Sequence, residues 1–108
     1  RHSSSAASDV YKRQVLIIDD VLSAGTAGRE SIESIKNLSA TPSSFIVGLD
    51  RQERGLSDLS SSKELELDFG LKVESIVNLD SLISFVENDS SFISHLDSLN
   101  KYRETWGA

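Results

Sequence analysis

Residues 15–28, VLIIDDVLSAGTAG, constrain this chain more tightly than any other stretch. Val15–Ile18 is an uninterrupted apolar run, mostly β-branched, which is how a strand buried on both faces reads. The run ends on Asp19-Asp20 and gives way to Val21–Gly28, a turn rich in small and hydroxyl residues. Ile32, Ile35 and Leu38 then recur at helical spacing and predict a helix reaching about Asn37. A strand, tight turn and helix in that order set the turn against a helix N-terminus. Unpaired N–H groups and the helix dipole favour an anion there. Ser23 and Thr26 add hydroxyl donors, while Gly25 and Gly28 let the backbone approach closely. As chemistry, the turn reads as a cradle for a monophosphate.

The rest of the chain repeats the alternation. Thr41-Pro42 punctuates, and Phe45–Leu49 reads as a second buried strand ending in Asp50-Arg51. Two such strands around one helix predict a right-handed parallel βαβ unit. Gln52–Leu59 reads as a loop. Ser61 with Glu64 fits a capping box opening a short helix that stops at Gly70, and the acidic 64–68 stretch reads as its solvated face. Val73–Val77 is a third strand. Leu79, Leu82, Ile83 and Val86 predict an amphipathic helix. Phe92, Ile93, Leu96, Leu99, Tyr102 and Trp106 sketch a terminal one, with His95 near its apolar side and Tyr102 and Trp106 as packing residues. The expected class is α/β, a small Rossmann-like parallel sheet flanked by helices.

Composition removes whole classes of function. With no Cys there is no disulfide, thiolate nucleophile or Cys-based metal site. Seventeen Asp and Glu against eleven Lys and Arg give a net charge of −6, which argues against non-specific nucleic-acid binding. No apolar run approaches the roughly 18 residues of a membrane span, so no membrane partner is expected. Residues 1–14, RHSSSAASDVYKRQ, lack periodicity and resemble translated adapter sequence. They are expected to form a disordered or artefactual leader ahead of a domain at residues 15–108.

The familiar phosphate loops do not match. A Walker A loop needs GxxxxGK[ST], and no Lys lies between Lys12 and Lys36. A dinucleotide fingerprint needs GxGxxG, and only Gly25-x-x-Gly28 is present, although Asp50 lies near the offset of a ribose-binding acid. Two carboxylates before the turn would repel a pyrophosphate. They suit sugar hydroxyls or an indirect metal contact, and alone they equally cap and solvate a turn.

VLIIDDVLSAGTAGRES resembles the phosphoribosyl-diphosphate (PRPP) motif of the type I phosphoribosyltransferases. GLDRQERG after the second strand and the KYRETWG ending are similar to bacterial orotate phosphoribosyltransferases, so the resemblance covers residues 15–108. It implies a pentosyltransferase that moves phosphoribosyl from PRPP to orotate, giving orotidine 5′-phosphate and diphosphate in pyrimidine synthesis. It further implies Mg²⁺ on the departing diphosphate, no direct metal ligand from this chain, a cytoplasmic location and a homodimeric parent enzyme. By the same resemblance Asp19 and Asp20 contact the ribose 2′ and 3′ hydroxyls. Val21, Leu22, Ser23, Ala24, Gly25, Thr26 and Ala27 wrap the 5′-phosphate, and Ser23 and Arg51 contact orotate. A guanidinium suits that role, because its planar fork pairs with a carboxylate or imide edge. An ordinary ion pair of Arg51 with Asp50, Glu53 or Asp58 competes with it. Ser23 stands where the family often has Thr, and Gly28 where a larger apolar residue is common, which loosens the helix start.

The family's flexible loop carrying Lys and His, which closes over the diphosphate, has no counterpart in the sequence. The chain therefore reads as the carboxyl-terminal part of such an enzyme, without catalytic residues and inactive alone. A non-catalytic PRPP-sensing regulator, another type I phosphoribosyltransferase and a dinucleotide-binding piece are the competing readings. Ser60-Ser61-Ser62 reads as loop and helix cap, since no His–acid partnership accompanies it.

Overall fold

The computed structural model describes residues 13–108. Three strands, β1 (Gln14–Leu22), β2 (Thr41–Asp50) and β3 (Lys72–Asn78), pair in parallel in the order β1–β2–β3. Between and after them run α1 (Thr26–Asn37), α2 (Ser61–Phe69), α3 (Leu79–Glu87), a 3₁₀ turn (Ile93–His95) and α4 (Leu96–Trp106). The α/β class and the parallel sheet are as expected. Of the leader expected at 1–14, residues 1–12 lie outside the described residues, and Gln14 already opens β1.

Three boundaries differ for identifiable reasons. β1 continues past Asp19-Asp20 to Leu22, because Val21 and Leu22, read as turn, still pair with Leu49 and Asp50 of β2. β2 starts at Thr41 and runs through Pro42, although a proline has no N–H for the ladder. The register accommodates it: Val15 pairs with Pro42 and Leu16 with Ser44, so Ser43 is an extra residue whose hydroxyl donates to the Val15 carbonyl at 3.3 Å. The cap of α2 is Ser60 rather than Ser61; its hydroxyl accepts from the Lys63 N–H at 3.2 Å. Gly70 closes α2 as read, at φ 68°.

Register decides which side chains make the core. Ile17, Phe45 and Val73 stand side by side on one sheet face, with Val47 beyond them. α1 and α2 cover that face, and Ile32 and Leu65 bury completely against Phe45 and Val47. Each such side chain contributes about 1.5–3 kcal/mol of apolar burial. Gly28 tightens this packing rather than loosening the helix. A Cβ there would lie 3.2 Å from Leu65 and 3.3 Å from Phe45, so the glycine sets how near α1 comes to the sheet and to α2.

Among the described residues nothing covers the opposite face. Ile18 is 74% exposed and Ile76 84%, with Leu16 half exposed beside them. Among these residues β1 is thus an edge strand buried on one face, where its continuous apolar run predicts two. Leu38, read as part of the apolar stripe, is the exposed C-cap of α1.

α3 buries Leu79, Ile83 and Val86 as its periodicity predicts. α4 packs against α3 yet has no fully buried residue; His95 and Trp106 are exposed, contrary to the placing of His95 near the apolar side and of Trp106 as a packing residue. Polar contacts hold the chain end instead. The Arg54 guanidinium donates to the Thr105 and Gly107 carbonyls at 2.7 and 2.5 Å. The Arg54 and Ala108 N–H groups donate to the Trp106 and Gln52 carbonyls. Arg54 thereby satisfies carbonyls that the end of α4 leaves without intrahelical partners.

Candidate anion-binding site

The turn between β1 and α1 forms a hollow of about 230 Å³ lined by Asp19 and residues 21–28. Gly25 caps α1 in the left-handed region, at φ 85° and ψ 2°, and no side chain caps the helix. The first intrahelical bond runs from the Arg29 N–H to the Gly25 carbonyl at 3.0 Å. Thr26, Ala27 and Gly28 therefore present N–H groups without intrahelical partners, and the first turn carries no acidic residue to compete for them.

Two braces fix the turn. The Ser61 hydroxyl, fully buried, donates to the Ser23 carbonyl at 2.5 Å, and a Cβ on Gly25 would meet the Ser61 Cβ at 2.9 Å. From the other side the Arg51 N–H donates to the Leu22 carbonyl at 3.0 Å and ties the ends of β1 and β2 together. Neither brace is legible in sequence, because each joins residues far apart in the chain.

The expected phosphate residues gather here, with two qualifications. Leu22 is buried in the core, so only its backbone faces the hollow. Asp20 does not line it: the two carboxylates belong to successive strand residues and point to opposite faces. Each caps the next peptide. The Asp19 carboxylate accepts from the Asp20 N–H at 2.8 Å, and that of Asp20 from the Val21 N–H at 2.7 Å. Both side chains stay exposed.

Arg51 lies at the end of β2 beside the turn and does not line the hollow. Asp50 before it is buried and accepts from the Gln52 N–H at 2.8 Å. This holds Gln52 in the left-handed region at φ 55°, a turn in which an aspartate stabilises its own backbone. The Arg51 side chain is 44% exposed; its Nη1 donates to the Tyr102 hydroxyl at 3.4 Å and lies 3.7 Å from Glu53. The Tyr102 hydroxyl donates to the Glu53 carboxylate. The Tyr102 hydrogen bond raises the Arg51 pKa further above its ordinary value, and burial raises that of Tyr102.

Glu64 corrects the reading of 64–68 as a solvated face. It is buried and accepts from the Leu56 and Ser57 N–H groups, at 2.9 and 2.7 Å, and from the Ser57 hydroxyl at 2.5 Å. It thus closes the loop beyond Arg51 and makes no capping box. A larger hollow of about 370 Å³ beside Gln52 carries both signs of charge, and its Arg103 is paired with Asp80 at 3.2 Å.

Among the described residues no three His, Cys, Asp or Glu side chains cluster as metal ligands, and no helix is long and apolar enough to cross a membrane. No family model matches the chain. Over 93 residues it is 47% identical to the orotate phosphoribosyltransferase of Proteus mirabilis, covering 86% of this chain and 44% of that protein. It is 46% identical over 93 residues to that of Pseudomonas savastanoi pv. phaseolicola, again covering 44% of the relative. The crystal structure of the Francisella tularensis orotate phosphoribosyltransferase superposes with a TM-score of 0.70 at 33% identity. That match covers 93% of this chain and 50% of the other. The chain thus spans about half the length of the proteins it matches, or slightly less.

Proposed function

From a chain that belongs by sequence and by fold to the orotate phosphoribosyltransferase family, we propose that this part of the molecule binds the phosphoribosyl group of PRPP and the pyrimidine it is transferred to. One observation carries the reading. The residue 21–28 turn and Arg51 converge at the carboxyl ends of adjacent parallel strands, joined by the Arg51 N–H to Leu22 carbonyl bond. Open parallel sheets bind ligands at that position.

In the proposed arrangement the N–H groups of Thr26, Ala27 and Gly28, with the Ser23 and Thr26 hydroxyls, hold the 5′-phosphate. Asp19 accepts ribose hydroxyls from the side of the cradle it lines, and Asp20, on the opposite face of β1, reaches the 2′ or 3′ hydroxyl only around the strand end. Arg51 pairs with the planar anion of orotate, beside Ser23. Transfer forms a bond from orotate N1 to the ribose anomeric carbon. The carbon–oxygen bond to diphosphate breaks, and the diphosphate leaves with the electron pair. Orotate reacting as its N1 anion requires no general base from Asp19 or Asp20. The transition state has oxocarbenium character, which favours a site where carboxylates face the ribose.

The donor set fits Mg²⁺ only as an ion carried in on diphosphate. Exposed carboxylates adjoin the site without forming a protein cage, and Mg²⁺ keeps several waters while binding substrate phosphates. Bound there, it would neutralise the leaving group. Asp19 or Asp20 would meet it through water.

Among the described residues no Lys, Arg or His lines the cradle. This favours binding without turnover by the 108-residue chain and keeps a PRPP-sensing module as the second reading. Calorimetric titration separates the two. The transferase reading expects both ribose 5-phosphate and orotate to bind, and Arg51→Ala to weaken orotate alone. A guanidinium this exposed supports a loss of about 1–2 kcal/mol, below the value for a buried charged pair. Ribose 5-phosphate binding with no detectable orotate binding would favour the sensor. Steady release of orotidine 5′-phosphate by the chain alone would overturn the claim that it does not turn over.

A further inference from the structure

Arg51, Glu53 and Tyr102 meet although Tyr102 lies far along the chain, on α4. Tyr102 Oη accepts from Arg51 Nη1 at 3.4 Å and donates to the Glu53 carboxylate, while Nη1 itself lies 3.7 Å from that carboxylate. Glu53 is largely buried, its side chain 12% exposed, and Tyr102 is half-buried. Glu53 and its neighbour are themselves anchored. Glu53 pairs across a bridge with Gly107, and the Arg54 N–H and guanidinium hold the end of α4. The exposed arginine is therefore gripped at one nitrogen by groups whose own positions are fixed. Among the described residues its Nη2 and Nε make no hydrogen bond, so one edge of the planar fork stays open.

We propose that Tyr102 and Glu53 are positioning residues for Arg51. They hold its guanidinium by Nη1 and present the Nη2–Nε edge to a planar oxyanion. This inference rests on the reading of Arg51 as the orotate contact and extends it to α4, whose attachment then sets how well the pyrimidine is recognised. The physical basis is preorganisation. A free arginine loses much rotamer freedom when it forms a bidentate pair, and one already gripped loses less.

The test uses the whole 108-residue chain with Tyr102→Phe, which keeps the ring and removes only the hydroxyl. Three measurements are compared with the wild type: orotate affinity, ribose 5-phosphate affinity, and the order parameter of the Arg51 Nε–H group by NMR. The expected result is an orotate affinity about tenfold lower, a lower Arg51 order parameter, and unchanged ribose 5-phosphate affinity. Glu53→Gln, which still accepts from the tyrosine hydroxyl, should retain the Arg51 order, whereas Glu53→Ala should lose it. A merely structural role for Tyr102 would lower both affinities together. Wild-type orotate affinity and unchanged Arg51 order in Tyr102→Phe would overturn the inference. Absence of orotate binding by the wild type, with Arg51 order still dependent on Tyr102, would instead overturn the functional reading beneath it.

Discussion

At Glu64 a carboxylate is held by two backbone N–H groups and the Ser57 hydroxyl, with Arg29 at 3.6 Å. The Ser57 hydroxyl is the largest of the influences that lower its pKa below the ordinary 4.5. A depressed folded pKa has one consequence for stability. The contribution is fully present above about pH 4.5 and is lost as pH falls through the lower folded value, where the protein begins to bind the proton. Glu64→Gln should therefore melt at a lower temperature than wild type near pH 7, since an amide answers the loop donors less well. The two melting curves should converge as the pH drops below about 4.5. Thermal melts across that range check it; a constant gap between them would show that the loop bonds do not depend on ionisation. In the sequence Glu64 is one of several acids on a short helix. What singles it out is the return of residues 55–57 over it, and no local pattern encodes that.

Among the elements, the junction of β1 with α1 is the most legible, because its information is local. A glycine-bearing turn specifies the helix start by backbone preference alone, whereas β1 runs on through both acids to Leu22, because those residues still pair with β2. The start of α2 was less legible for a related reason. Ser60, Ser61 and Ser62 offer three adjacent capping residues of equal propensity. The tertiary bond from Ser61 to the Ser23 carbonyl makes Ser61 a buried brace and leaves Ser60 to cap. The same logic hid the Arg51–Glu53–Tyr102 cluster, which only the docking of α4 assembles. Two variants separate local from tertiary work. Ser60→Ala should cost about 1 kcal/mol of stability without touching ligand binding, measured by denaturant unfolding and a ribose 5-phosphate titration. Gly25→Ala should do both. Its φ of 85° costs a side chain about 1–2 kcal/mol, and the added Cβ presses on Ser61 and displaces the turn. Affinity for ribose 5-phosphate should fall at least tenfold, and an unchanged affinity would remove the turn from the site.

At the scale of the whole molecule, the described residues cover the sheet on one face and leave the other bare. Leu16, Ile18 and Ile76 stand exposed on the bare face, and among the described residues β1 has a partner on one side only. The apolar run of β1 predicts a doubly buried strand because composition reports that a strand is apolar, not whether both its faces are covered. An open edge beside an apolar face is a template for pairing between chains, and the charge of −6 opposes it at neutral pH. These two terms respond differently to solution conditions. Salt screens the repulsion between exposed charges, with a Debye length of about 10 Å at 0.1 M falling to 3 Å at 1 M, while leaving apolar contact intact. Association of the chain should therefore rise with added salt, and rise again as the pH approaches the isoelectric point near 4.8. Ile18→Lys should suppress it at little cost in melting temperature, because the side chain is already 74% exposed. Leu56→Lys makes the same change in charge at an 84% exposed position in the loop after β2, away from the sheet face. If the bare face drives association, sedimentation velocity at equal salt will find the Ile18 variant monomeric and the Leu56 variant associated like the wild type. Equal suppression by both would assign the effect to net charge and leave the sheet face without a part in it.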